Sequence, residues 1–277
     1  MGGTSVRLGH TEDGQPKGMH QTLPTAALRH ADDPLEWLST VVRRYSADHS
    51  LNLTNVVIGV PFTPDAGLTT AVSSPNIPNL ENVPITEGLG ARLGVRVRLE
   101  RDINLLLLGE WTAGAAFLQD GVPFRGATGA ALELGHIPIR AEGRRCVCGN
   151  LDCLEAYACG HVLDELAEES GLEVATIFQR GREHPETSGK LDAFVRDLAF
   201  GLATAVNLFH PNLALVGGGV PMMPSFPKEA FEQTFYAHLR RPVPATTVDF
   251  AWAVLGSEAA LWGSSGSAKR GTGVSQG

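Results

Sequence analysis

Residues Glu133 to Glu155 read ELGHIPIRAEGRRCVCGNLDCLE, and the reading of the whole chain turns on this stretch. It places a histidine, three cysteines and two flanking glutamates in a span too polar and too rich in glycine for ordinary core. Cys146, Cys148 and Cys153 are three of only four cysteines in the chain, and His136 stands shortly before them. Three thiolates and one imidazole make a tetrahedral donor set of the kind that holds structural zinc. Gly143 and Gly149 supply the tight turns that so short a loop needs. A metal held there would pin Glu133 and Glu155 in place. The competing readings are a loop with incidental cysteines and a disulfide, but a CxC pair is strained and the third thiol would be left over. Cys159 reads as a small buried residue rather than a fifth ligand.

The composition around this loop is that of an ordinary globular protein: 277 residues, 43% hydrophobic and 19% charged. Such a length can bury one large core or two smaller ones. The formal net charge of −8 gives no electrostatic reason to expect nucleic acid or an acidic membrane as a partner. No stretch approaches the length of a membrane span, and MGGTSVRLGHTEDG lacks the basic-then-apolar pattern of a secretion signal. Thiols gathered as metal ligands fit a reducing, cytoplasmic location.

Upstream of the loop, residues 10–30 suit a polar hairpin, and Pro34 to Ser46 carries the apolar stepping of an amphipathic helix, with Asp33 as N-cap and Pro34 at the first helical position. Asn55 to Pro61 reads as a buried strand, Leu68 to Asn79 as a proline-fixed extended loop, Ile85 to Leu93 as a helix ended near Gly94, and Val95 to Glu100 as a half-exposed strand. Asn104 to Trp111 suits a buried helix. Downstream, Ala156 to Glu169 suits a helix stopped at Gly171, and residues 170–189 are polar and turn-rich. Leu191 to Phe209 forms a long helix with Phe194, Leu198, Leu202, Ala205 and Phe209 near one face. Ala214 to Val216 is a strand, Phe226 to Leu239 a helix, Thr247 to Val254 a strand, and Glu258 to Trp262 the start of a last helix. Strands alternating with helices argue for an α/β protein with mainly parallel sheets.

Several residues outside the loop could carry chemistry. Asp102 follows a strand and precedes a helix, where open α/β sheets place their ligands, although a lone aspartate there also serves as an N-cap. Carboxylates converging with His136 suit a polyhydroxylated neutral ligand, since each accepts two hydroxyl hydrogen bonds. Asn76 would add a mixed donor and acceptor, or be a plain turn residue. Gly217, Gly218 and Gly219 after a strand allow close approach of a nucleotide, and Gly2, Gly3 and Thr4 could wrap a phosphate with backbone N–H groups.

Together these pieces resemble the ROK family of sugar kinases. Residues 133–155 are similar to its signature ExGHxx…CxCGxxGCLE, ERDIN at 100–104 to the motif of its catalytic aspartate, LVGGGV at 215–220 to its adenosine-side loop, and MGGTSVR to its N-terminal phosphate motif. Within the family, RDINL, ELGHIPI and GGGVPMMPSFPKE with LRRPVP look most like D-allose kinases. The resemblance implies an actin-like, ribonuclease-H-like α/β fold of two domains: residues 1–101 with 257–265, and residues 102–256 bearing the zinc loop 136–153, followed by a disordered tail at 266–277. It implies phosphorylation of a hexose at its primary hydroxyl by Mg2+-ATP, with Asp102 as base and Asn76, Glu133, His136 and Glu155 on the sugar. It further implies nucleotide contacts from Gly2, Gly3, Thr4 and Gly217–Gly219, a structural Zn2+ on His136, Cys146, Cys148 and Cys153, and a homodimer.

Three departures accompany the resemblance. Many hexose kinases of the family have a sugar-contacting asparagine where Arg101 stands. The family's first strand and its aspartate before GGT have no counterpart ahead of Met1. Its internal strand and GTGxG loop are likewise missing where Gly114-Ala115-Ala116 runs into Phe117-Leu118. One phosphate-cradling donor is worth roughly 2.7–4 kcal/mol in comparable sites. The expectation is therefore a complete sugar-gripping half with weak or absent ATP turnover, and the alternative is a sugar-binding or regulatory relative without transfer.

Overall fold

The computed structural model describes residues 1, 5–13, 15–65, 67–74, 76–101, 115–119, 122–127 and 130–254. The chain forms two compact units, Met1–Leu107 with Asp120–Ala131 and Ser257–Gly277, and Leu108–Gln119 with Leu132–Gly256.

The first unit opens with an antiparallel hairpin, β1 (Ser5–Glu12) and β2 (Gln15–Pro24), whose register shifts near Gly9. A short helix α1 (Thr25–Arg29) leads to α2 (Pro34–Asp48). As its sequence implies, α2 is capped by Asp33, whose carboxylate accepts from the N–H groups of Leu35 and Glu36 at 2.9 Å. β3 (Asn55–Val60) runs parallel to β6 (Arg96–Arg101), with Asn55 opposite Arg96 and Val60 opposite Arg101. Between them lie the short antiparallel pair β4 (Thr63–Pro64) and β5 (Ala71–Ser73), a 3-10 turn at Pro78–Leu80, and α3 (Ile85–Leu93). The extended loop expected over residues 68–79 thus contains a small sheet, whose turn Asp65 ties by accepting from the N–H groups of Thr69 and Thr70. Gly94 ends α3 at φ +70, a conformation glycine adopts freely. The core gathers Leu28, Leu35, Ile77, Leu80, Ile85 and Leu89 between the helices and the β3–β6 pair.

β7 (Leu118–Gln119) and β8 (Val122–Pro123) are two residues each, and among the described residues no longer strand lies between Arg101 and Leu213. In the second unit the helix expected from Ala156 to Glu169 is two: α4 (Leu154–Tyr157) and α5 (Gly160–Ser170). Ala158 and Cys159 leave the helical conformation, with φ near −146 and −147, so the chain turns a corner while both stay buried. Gly171 stops α5 at φ +64. The turn-rich stretch that follows holds α6 (Ile177–Arg180) and the first turns of α7 (Pro185–Phe209). The buried face of α7 is rotated from the expected one. Leu191, Phe194, Ala199, Ala203 and Val206 are buried, whereas Leu198 and Leu202 pack only partly against the cluster. Small residues at 199, 201 and 203 let neighbouring elements come close, and close approach decides which side is inside. β9 (Leu213–Val216) pairs in parallel with β10 (Asp249–Trp252), and α8 (Lys228–Ala237) packs beside α7. Parallel pairs therefore share the described structure with antiparallel ones, since β1–β2 and β4–β5 run antiparallel. The expected helices at 104–111 and 258–262 and the tail at 266–277 lie outside the described residues.

Candidate sugar and metal site

A 3-10 turn at Leu134–His136, with the His136 N–H bonded to the Glu133 carbonyl at 2.9 Å, presents the histidine. The two sides of the loop are then zipped together. Pro138 bridges Cys153 and Arg145 bridges Leu151 as antiparallel pairs, while the Leu154 N–H donates to the Ile137 carbonyl at 2.9 Å. At the tip, Cys146 donates to the Asn150 carbonyl and Gly149 back to Cys146, a turn that Gly149 permits at φ +93.

This local structure brings His136, Cys146, Cys148 and Cys153 together, all four ligand atoms lying within 4.8 Å of one another. Cys146 Sγ is 3.6 Å from His136 Nδ1, and Cys148 Sγ is 3.7 Å from Cys153 Sγ. Thiolate and imidazole bonds of zinc length in a tetrahedron would place neighbouring donors about 3.6–3.8 Å apart. Those two distances match such an edge, the whole set lies within 4.8 Å, and three thiols with one imidazole are the donor chemistry of a thiophilic tetrahedral ion. All four cysteines are free of disulfides. Burial pushes the Cys153 thiol up to about 12 and raises Cys146 as well. Burial also opposes ionisation of Cys148, but the Asn150 N–H and the neighbouring thiols outweigh it and lower that group. Without a cation the three sulfurs cannot all be thiolates; a bound divalent ion reverses that balance.

The other nitrogen of His136 faces the carboxylates. Nε2 lies 3.5 Å from Glu155 Oε2 and 4.0 Å from Glu133 Oε2. Glu155 projects from α4, one turn fixed directly after Cys153. Burial raises its carboxyl above the ordinary range, partly offset by the His136 and His161 imidazoles. Three of the expected sugar contacts therefore converge, and one imidazole joins them to the metal donors.

The remaining expected residues are distributed differently. Asn76 is an exposed turn residue of the first unit whose carbonyl accepts from Arg29 Nε at 2.7 Å. Gly217–Gly219 follow β9 as expected, and Gly218 sits at φ +106, where a side chain would be strained. Asp102 and Gly2, Gly3 and Thr4 lie outside the described residues. Arg101, at the end of β6, donates from Nη1 to the Ala131 carbonyl at 2.8 Å, and its neighbour Glu100 is buried in an ion pair with Arg125.

Residue reading missed the fastening beneath the loop. Asp152 accepts hydrogen bonds from the backbone of residues 142–144 and from Tyr157, and Arg140 pairs with the buried Asp197 of α7. The one available signal was an aspartate at a motif position that otherwise carries glycine.

The ROK family model matches residues 1–270. The N-acetyl-D-glucosamine kinase of Haemophilus influenzae (strain 86-028NP) is 27% identical over 280 residues, covering 87% of this chain and 89% of that protein. Among solved structures, a ROK family glucokinase from Streptomyces griseus in complex with glucose and AMPPNP superimposes with a TM-score of 0.80 at 23% identity, covering 98% of this chain and 97% of that one. The ROK hexokinase from Thermus thermophilus gives 0.77 at 24% identity, covering 96% and 94%. Those two structures show the fold, which is the actin-like one.

Proposed function

Because this chain belongs to the ROK family of sugar kinases, we propose that it transfers the γ-phosphoryl group of Mg2+-ATP to the primary hydroxyl of a hexose. The observation that carries the reading is the double engagement of His136: Nδ1 toward the Cys146 thiol, Nε2 toward Glu155 and Glu133. A ring held on one side by a metal cluster has a fixed orientation on the other, and that edge, flanked by two carboxylates, suits a set of sugar hydroxyls.

In this reading Glu133, His136 and Glu155, joined by Asn76, hold the non-reacting hydroxyls, so that orientation supplies much of the rate. Asp102 accepts the proton of the attacking hydroxyl, and Gly2, Gly3, Thr4 and Gly217–Gly219 receive the nucleotide. Zinc on His136, Cys146, Cys148 and Cys153 contributes structure and takes no part in phosphoryl transfer. D-allose is the first hexose to try, on the strength of RDINL, ELGHIPI and GGGVPMMPSFPKE, followed by N-acetyl-D-glucosamine and D-glucose.

The test is sugar-dependent ADP formation over that panel, with Asp102→Asn as control. The expected outcome is ADP formation that needs a hexose, is slow because the GTGxG loop is missing from the sequence, and falls further, by roughly 10²–10⁴-fold, in the variant, the range for loss of a general base. Hexose binding without any ADP would instead identify a sugar-binding relative that has lost transfer.

A further inference from the structure

Asp152 stands where the signature CxCGxxGCLE carries its second glycine, and its φ of +60 shows why glycine suits the position. Aspartate and asparagine are among the few side chains that tolerate this region, because a short polar group can bond the local backbone. Here the carboxylate does so three times. Oδ1 accepts from the N–H groups of Glu142 at 3.2 Å and Arg144 at 3.0 Å, and Oδ2 accepts from Gly143 at 3.0 Å. Successive N–H groups converging on one anion form a nest. The Tyr157 hydroxyl donates to Oδ1 as well, and Asp152 is only 7% exposed.

The fastening continues outward. Arg140 lies 4.5 Å over the Tyr157 ring and pairs with Asp197 on α7. Arg144 pairs with Glu165 on α5. The nest therefore locks the backbone that leads into Cys146, while Asp152 itself directly precedes Cys153. Both sides of the four-donor cluster are held by a carboxylate that is not one of the donors.

We propose that Asp152 is a positioning residue for the metal site: it holds the loop in its binding arrangement before an ion arrives, and metal affinity depends on it. The inference rests on the zinc assignment made above. A loop that must be ordered as the ion binds loses that ordering cost from its affinity, whereas a fastened loop has met it already. Partners outside the ligand shell commonly change metal affinity 10–100-fold.

The experiment compares wild type with Asp152→Gly and Asp152→Asn. Glycine keeps the backbone conformation and removes the carboxylate; asparagine keeps an acceptor oxygen and the same tolerance of positive φ. Zinc affinity is measured by chelator competition, and amide hydrogen exchange at residues 142–144 is measured on the zinc-free proteins. Expected are a zinc Kd about 10–100-fold weaker for Asp152→Gly, an intermediate value for Asp152→Asn, and exchange at 142–144 at least about tenfold faster in Asp152→Gly. Equal zinc affinity in wild type and Asp152→Gly overturns the proposal, as does an Asp152→Asn variant that recovers nothing. Should Asp152→Gly not fold, Tyr157→Phe removes one donor to the same carboxylate: a few-fold weaker Kd is expected, and an unchanged one overturns the proposal. A wild type that binds no zinc refutes the zinc assignment instead. Exchange at 142–144 then decides alone whether Asp152 orders the loop, and unaltered exchange overturns that too.

Discussion

The metal loop and the helical body beneath it belong to one unit, yet they are held by different forces. The loop's own apolar cluster is no more than Cys146, Cys153, Ala156 and Tyr157 with Ile139 at its edge. Its order comes from the Asp152 nest and from ion pairs through Arg140 and Arg144. The body is aromatic. Phe178 packs edge-on against Phe194 at 6.1 Å and Phe226 at 5.2 Å, Phe226 meets Trp252, and Phe235 meets Phe250 at 5.5 Å. Apolar burial resists local change and is indifferent to metal; polar fastening is local and depends on each partner being present. Under the function proposed above, a kinase that must orient a sugar to within fractions of an ångström would gain from placing its hydroxyl-binding groups on the second kind of structure, anchored to the first.

If the two regions are separable in this way, the largest stability effect should come from the body. Phe194→Ala removes a ring that is 1% exposed and should cost about 3–5 kcal/mol in urea unfolding. The fraction that remains folded should still bind zinc with wild-type stoichiometry; loss of zinc from folded molecules would show that the loop is not independent.

A smaller effect should appear where the regions touch. A β-carbon on Gly201 of α7 would lie 2.5 Å from Leu154 Cδ2, beside Glu155. Gly201→Ala should therefore destabilise by about 1–3 kcal/mol at most, because Leu154 can turn aside. Hexose KM should rise severalfold as Glu155 shifts with its neighbour. Unchanged KM with the same loss of stability would break the link between helix packing and the sugar site.

The smallest effect, in the first unit, serves as a control. The Asp33 carboxyl is held below its ordinary range chiefly by the Glu36 N–H, and by Arg92. A depressed folded pKa gives stability that is fully present above the unfolded value, about 4, and is lost as pH falls through the folded one. Asp33→Ala should lower the urea midpoint modestly at pH 7 and converge with wild type in strong acid, leaving zinc affinity unchanged at neutral pH.

What could be read from sequence was local. The Asp33–Pro34 cap and the left-handed stops at Gly94 and Gly171 each depend on residues a few positions apart, and each has its expected form; β3 forms where expected but is half-buried along most of its length, with only Val60 fully buried, rather than covered on both faces. The buried face of α7 differs from the expected one because periodicity favours large residues such as Leu198 and Leu202, whereas packing turns Ala199, Gly201 and Ala203 inward. The break between α4 and α5 follows from burying Ala158 and Cys159, which no breaker residue announces. Arg140 and Asp197 are 57 positions apart, so nothing local joins them. Asp152 was in plain view as an aspartate in a glycine's place, but only its φ and its four donors give that exchange a meaning.

If a metal on His136, Cys146, Cys148 and Cys153 orients Glu133, His136 and Glu155 toward the sugar, hexose affinity must depend on that metal. Calorimetric titration of the hexose that supports turnover, into zinc-loaded and zinc-stripped protein at neutral pH, tests it most directly. Affinity should be at least about tenfold weaker in the stripped protein and restored by returning zinc, as for other partners that orient a binding group. Equal affinity in the two forms would contradict it.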